Sequence, residues 1–310
     1  MSKQWLQAVP LPFAGVALAF GTLGNLFATT LPLRIFFGVI SSAIFLLILA
    51  KIIFAFSKTR QELGNPVVAA SFATFPMALM VLATYMPNSA GKFLWFLGIG
   101  VHFALLGYLL VRFGRKLRAN LLAVYFIPAV GFVVASVTAP FFQAELFGQI
   151  IFWLGLVFYL LLLVPIISNH LLKESPNPLN PLKMIIAAPA SLCLTGYLSS
   201  FSKINDGFLL ILTLAAFLST VWGYVLFFKL ERKTFFPTFA AGTFPFVISA
   251  MAMKKLAGYA ALQGWAVAGL INGISLVEIA VALICCTEML MRYLHFLYSH
   301  SKMLAAEQIE

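Results

Sequence analysis

The chain is predicted to be an all-α integral membrane protein whose ten transmembrane helices pair into five tandem hairpins. Three observations carry that class. The composition is 62% hydrophobic and 9% charged with a mean hydropathy of +1.02, far from the roughly 45–50% apolar, 25% charged profile of soluble domains. Runs of about 20 apolar residues, enough to cross roughly 30 Å of hydrocarbon, recur along the whole length. Prolines recur once per hairpin in the middle of alternate runs. Residues 1–310 therefore read as one transmembrane domain, with 298–310 as a short C-terminal tail.

The spans follow in order. The first, 8–29, begins beside Pro10 and Pro12 and continues through "FAGVALAFG", where Gly15 and Gly21 allow close helix approach. The preceding "MSKQWLQAVPLPF" lacks a cleavage pattern, so this run is expected to stay in the protein. Span 33–56 ends at "SKTRQELGNP"; span 66–86 carries "ATFPMAL" and ends at "MPNSAGK". Span 92–113 stops in "FGRKLRAN", and 121–141 carries "YFIPAVG". Span 145–172 has Pro165 late and ends at "KESPNPLNP"; 181–202 carries "IAAPASL" and ends at "SKINDG". Span 207–229 stops at "KLERKT", 235–257 carries "GTFPFVI", and 263–296 closes the set. Each connection is rich in Gly, Pro, Asn and charge, the usual punctuation between elements.

Charge gives the direction. With the N-terminus inside, Arg34, Lys92, Lys203, Lys254 and Lys255 fall outside and the other fifteen of the 20 basic residues fall inside. That asymmetry matches the excess of Lys and Arg in cytoplasmic loops. It predicts a multi-pass protein of the plasma (inner) membrane with both termini cytoplasmic. The net charge of +11 then records topology, and no nucleic-acid binding is read into it. Cys193, Cys285 and Cys286 all lie in apolar runs and read as small packing residues, with no metal site and no cofactor implied.

Pro76, Pro128, Pro189 and Pro245 each lie in an odd-numbered span. Because every repeat holds two spans, the odd helices run parallel. Proline removes an intrahelical hydrogen bond and bends its helix, and the freed backbone groups need protein neighbours or a water-lined cavity. Five bent odd helices around an axis, backed by five even helices, would supply such a cavity. The alternative is that the kinks merely aid packing.

The segments "VYFIPAVGFVVASVTA" (124–139), "IAAPASLCLTGYLS" (186–199) and "GTFPFVISAMAM" (242–253) resemble the fifth, seventh and ninth helices of one family. This is the tellurite-resistance/dicarboxylate transporter family, which includes the plant slow anion channels. The resemblance extends over essentially the whole chain in span number and hairpin spacing. It implies quasi-five-fold symmetry, odd helices as an inner pore ring, even helices as an outer ring, a pore through each protomer, and a homotrimer. It also implies a phenylalanine of the ninth helix plugging the pore, at the position of Phe244. The chain departs from the pattern in span one, where Ala17 stands at the expected proline, and it lacks the long soluble tails of the plant channels.

The residues just before each proline are Phe75, Ile127, Ala188 and Phe244, with Val16 the member from span one. A wholly apolar constriction blocks ions by dewetting, and rotation of one aromatic ring opens it. Phe244 is the first choice of gate and Phe75 the second, although with 32 phenylalanines in the chain core packing accounts for most of them. Thr74, Thr195 and Thr243 offer polar edges beside Pro76, Pro128, Pro189 and Pro245. Lys254 and Lys255 either draw anions to the outer mouth or anchor the helix end by snorkelling. Glu278 and His102 lie deep in even spans, away from the axis. Packing or a subunit contact is weighed there against proton coupling.

No His-Glu-x-x-His or Gly-x-Ser-x-Gly pattern occurs and Asp206 is the lone aspartate, so the chain does not read as an enzyme. Two transport readings remain. One is a passive, voltage-independent channel for small inorganic anions such as chloride or nitrate. The other, allowed by the resemblance, is a proton-coupled carrier of C4-dicarboxylates such as malate, or a tellurite-resistance exporter. A dicarboxylate carrier needs cations near the midplane. The odd spans offer none there, which favours the channel.

Overall fold

A computed structural model describes residues 3–171, 176–231 and 233–306 of the chain. Among them every regular element is helical and no strand occurs. A short N-terminal helix α1 (Lys3–Ala8) and the 3₁₀ turn Leu11–Phe13 lead into α2 (Ala14–Leu26). The long α3 (Leu31–Phe54) returns, starting at Pro32. A break at Ala55 precedes α4 (Phe56–Glu62), and α5 (Pro66–Phe72) then begins on Asn65, whose side chain accepts from the amides of Val67 and Val68. This is an N-cap followed by proline, a combination that suits the unpaired amides of a helix start.

The second hairpin continues from α5 through a break at Ala73 into α6 (Thr74–Ala83) and returns in α7 (Asn88–Ala119). The third inward segment is the most broken: 3₁₀ turns at Ala123–Tyr125 and Gly131–Val133 alternate with α8 (Phe126–Val130) and α9 (Val134–Thr138). Gln143, at φ 54°, turns the chain into α10 (Glu145–Ile166), which contains Pro165 and ends in a π-helical turn, Ile167–Leu171. The 3₁₀ stretch Asn177–Ile186 leads into α11 (Ala187–Ser200), and Asn205 caps α12 (Asp206–Lys229) by accepting from the Phe208 amide. The last hairpin is the 3₁₀ stretch Pro237–Gly242, α13 (Phe244–Leu262) and α14 (Ala268–Ala306). Gly264, at φ +69°, ends α13, with its amide on the Ala261 carbonyl and the Trp265 amide on that of Ala260. That pair of bonds is a Schellman ending, which needs a left-handed residue. The expected tail is helical through Ala306, and 307–310 lie outside the described residues.

The backbone stays in the right-handed helical region at Ala73, Tyr125 and Ile186, ahead of three of the prolines, and leaves it at Thr243 (φ −112°, ψ −82°) ahead of the fourth. Pro76, Pro128, Pro189 and Pro245 each stand within the first three residues of a helical segment that starts anew after a break or a 3₁₀ turn. A proline there removes an amide that has no intrahelical acceptor in any case. The predicted bend is thus a junction between two short helical pieces.

Among the described residues, eight helical segments are long and apolar enough to cross a membrane by length and composition. The first expected span, Leu11–Leu26, is shorter, and α13, which carries Lys254 and Lys255, is not among the eight. Burial sorts the eight into two groups. In Pro66–Ala83, Ala123–Phe142 and Pro178–Ser200 the most apolar stretch is 72%, 83% and 83% buried, whereas in the five returning helices it is 28–39%. The returning helices turn residues such as Phe93, Val111, Leu146, Ile211 and Ile284 outward, an apolar coat of the kind lipid requires. Contacts between the buried segments run α2 to α6, α6 to α9, α9 to α11, α11 to α13, and α13 back to α2.

The two termini share one end of the bundle. Phe13 stacks on Tyr293 of α14 with centroids 4.4 Å apart, and the Tyr293 hydroxyl donates to the Pro237 carbonyl. At the same end the buried Lys51 pairs with Glu62 at 2.7 Å and donates to the carbonyls of Gln7 and Val9, fixing α1 to the first hairpin. At the opposite end Lys254 donates to the Leu26 carbonyl at 2.6 Å and Arg34 to that of Thr84 at 2.8 Å.

Candidate functional site

Two cavities lie inside the circle of buried segments. The proximal cavity, at the end that carries the termini, offers about 50 Å³ of room to water-sized groups among the junctions of the five inward segments. Its lining includes Pro12 and Gly15 from the first segment, Thr74 and Met77 from the second, Ile127 and Gly131 from the third. Ala188 and Pro189 of α11 and Phe244 and Pro245 of α13 complete the wall. No charged residue lines it. The Thr74 hydroxyl, facing this space, already donates to the Ser71 carbonyl at 2.7 Å.

The distal cavity, at the opposite end, is larger, with about 360 Å³ of room for water-sized groups. Thr22 and Asn25 of α2, Val134 and Thr138 of α9, and Ile248 and Met251 of α13 contribute to its wall, with Lys254 and Lys255 beyond them. Among the described residues those two lysines are the only charged ones lining either space.

One residue belongs to both walls. Phe244 lines the proximal and the distal cavity, and no other residue does. Its position follows from the local chain. The 3₁₀ stretch Pro237–Gly242 ends at Thr243 (φ −112°, ψ −82°), and Phe244 is the first residue of the new helix. Thr243 is itself buried and tied down, its hydroxyl donating to the Ala240 carbonyl at 2.6 Å and lying 3.4 Å from that of Gly15 on α2. A Cβ on Gly15 would meet the Ala240 Cβ at 3.4 Å, an ordinary contact. Phe246, two residues on, points the other way. It packs against Tyr224 and Phe227 of α12, over Gly223.

The other sequence-predicted residues divide. Thr74, Ile127, Ala188, Pro189 and Pro245 line the proximal cavity, and Lys254 and Lys255 the distal one. Val16, Ala17, Pro76, Pro128, Thr195 and Thr243 stand behind the walls. The Ala17 carbonyl accepts from Ser41 on α3 at 2.7 Å, and the Thr195 hydroxyl donates to the Ser191 carbonyl at 2.7 Å. The Pro128 carbonyl accepts from His102 Nε2 at 3.1 Å, so this deep histidine serves a junction between pieces of the third segment.

Phe75 lines neither cavity. Its ring stacks on Phe45 of α3 at 4.3 Å and on Phe72 at 5.2 Å, facing the outer helix rather than the interior. In this structure the ring that was expected to be a second plug occupies a packing position. Ile127 and Ala188 precede prolines at the same register and do line the proximal cavity, so what sets Phe75 apart is its stacking on the Phe45 ring of α3.

Glu278 also stays out of both cavities. It accepts from Ser249 of α13 at 2.6 Å, and Ser249 in turn lies 2.8 Å from Thr220 of α12. Its carboxyl closes the floor of an outward-facing apolar groove between α12 and α14.

The distal wall contains a pattern that sequence reasoning passed over. Phe244, Ile248, Met251 and Lys255 are spaced by four, three and four residues and form one face of α13. Helical periodicity counted forward from Phe244 would have found them.

A family model described as a voltage-dependent anion channel (SLAC1) matches residues 8–290. The chain is also 29% identical over 229 residues to a tellurite resistance protein TehA homolog of Haemophilus influenzae. That alignment covers 70% of this chain and 66% of the relative, so the chain spans just under two thirds of the relative's length.

Proposed function

The chain belongs to the voltage-dependent anion channel (SLAC1/TehA) family of membrane channels and transporters, and from that premise we propose that it is a channel for small monovalent anions such as chloride or nitrate. In this reading ten spans in five quasi-equivalent hairpins surround one pore per protomer, the odd segments forming its wall and the protomers assembling as a homotrimer. Both termini lie in the cytoplasm of a cell whose inner membrane holds the protein. The ring of Phe244 closes the pore at its narrowest point.

The observation that carries this proposal is the sharing of Phe244 by two otherwise separate cavities. An apolar side chain between two spaces stops ions because no water replaces their hydration shell there. Swinging the ring aside joins the cavities without rebuilding the helices. The charge pattern fits anions, as the lining holds two lysines and no carboxylate. It fits conduction better than tight carriage of a dicarboxylate, since the proximal cavity offers no cation to a second carboxylate.

Reversal potentials in reconstituted bilayers test the reading. A channel reverses at the equilibrium potential of the permeant anion and is indifferent to an imposed pH gradient. A reversal potential that follows the pH gradient instead would establish proton-coupled transport.

A further inference from the structure

The two adjacent lysines of α13 differ in what holds them. Lys254 donates to the Leu26 carbonyl at 2.6 Å and lies 5.7 Å from the centre of the Phe27 ring. It fastens the end of α2 to α13, as a cation does when it satisfies the last carbonyls of a helix. Lys255 has no hydrogen-bond or ion-pair partner among the described residues and is half-buried where it lines the distal cavity. Among the described residues no acidic one lines that cavity to neutralise it.

Lys255 also completes the face of α13 that starts at Phe244 and runs through Ile248 and Met251. A cation withdrawn from bulk water without a counter-charge is costly, and the cost falls when an anion comes to it. The cavity around it presents Thr22, Asn25, Thr29 and Thr138, whose side chains are polar and uncharged.

We infer that the distal cavity is an anion-binding chamber in which Lys255 Nζ holds one small monovalent anion above Phe244, while Lys254 is a structural tie. This deepens the channel reading and rests on it for the consequence for conduction, though the binding site is measurable by itself. One free ammonium holds one monovalent ion weakly, and weak binding lets the ion leave as readily as it enters. An anion there stands ready to pass when the ring moves.

Anomalous diffraction from crystals of the purified protein soaked in bromide reads the site directly. Bromide is expected in contact with Lys255 Nζ in wild type, in Lys254→Met and in the charge-keeping Lys255→Arg, and lost in Lys255→Met. Absence of bromide beside Lys255 in wild type overturns the assignment, as does a bromide that persists in Lys255→Met. Conduction supplies the second arm, recorded in a Phe244→Ala background. There Lys255→Met raises the half-saturating anion concentration by about fivefold, the loss of one charge-assisted contact. The gap narrows in 1 M salt, where charges are screened within about 3 Å. An unchanged half-saturating concentration in Lys255→Met rejects the chamber. A Phe244→Ala protein that carries no current rejects the channel reading, while the bromide result still decides the site.

Discussion

At the scale of single residues, the sequence "GTFPFVIS" holds two phenylalanines with opposite duties. Phe244 faces the cavities, and Phe246 is buried against Tyr224 and Phe227 of α12. The Thr-Phe-Pro at Phe75 repeats the letters but not the geometry, because its ring stacks on Phe45 and Phe72. Phe75→Ala is accordingly expected to leave basal conductance unchanged and to lower thermal stability, by about 3 kcal/mol for an aromatic removed from a packed site. A melting curve and a current recording on the same preparation check both halves; a rise in current without loss of stability would restore Phe75 as a plug. Phe244 was legible from its place before a proline, whereas the packing role of Phe75 was not. Ile127 and Ala188 hold the same register to their prolines and line the cavity, so the direction of Phe75 follows from its ring contact with Phe45 on another helix, which no local pattern shows. Lys51 was likewise read as one inward basic residue. Its burial against Glu62 and the carbonyls of Gln7 and Val9 depends on contacts between segments distant in the chain.

At the scale of elements, the feature common to the inward segments is a junction between two helical pieces. Sequence reasoning located all four junctions from Pro76, Pro128, Pro189 and Pro245 and read them as bends; the backbone keeps helical angles at Ala73, Tyr125 and Ile186 and departs from them at Thr243. The distinction is physical. In a bent helix the proline creates the bend, whereas in a restarted helix it occupies a first turn already made by its predecessors. At the ninth segment the break is at Thr243, held by its hydroxyl bond to the Ala240 carbonyl. Pro245→Ala should therefore preserve the turn and the closed state, changing stability by no more than about 1 kcal/mol, the range of proline effects at compatible sites. Thermal unfolding in detergent measures this. A loss of several kcal/mol, or a current comparable with that of a Phe244 variant, would return the bend to Pro245 itself.

At the scale of the whole molecule, the apolar runs, their alternation and the loop charges were all visible in the sequence because lipid imposes them on composition. Less visible was the division of the interior into two spaces. Each cavity is assembled from segments far apart in the chain, so no local pattern announces it. The proximal space is uncharged and the distal one cationic. An anion crossing the protein would thus meet attraction at one end only, with the single shared residue between the two environments.

The claim that this residue closes the path is tested most directly by anion current through Phe244→Ala and wild type at equal surface expression, with Phe152→Ala as the control. Phe152 is buried among Tyr197, Phe201 and Phe208, remote from both cavities. Removing the Phe244 ring lets water bridge the two spaces, and about 1.4 kcal/mol in favour of the open state already gives tenfold. The account predicts that Phe244→Ala raises basal conductance by about tenfold or more while Phe152→Ala raises it not at all. A Phe244→Ala protein that conducts no better than wild type would contradict it.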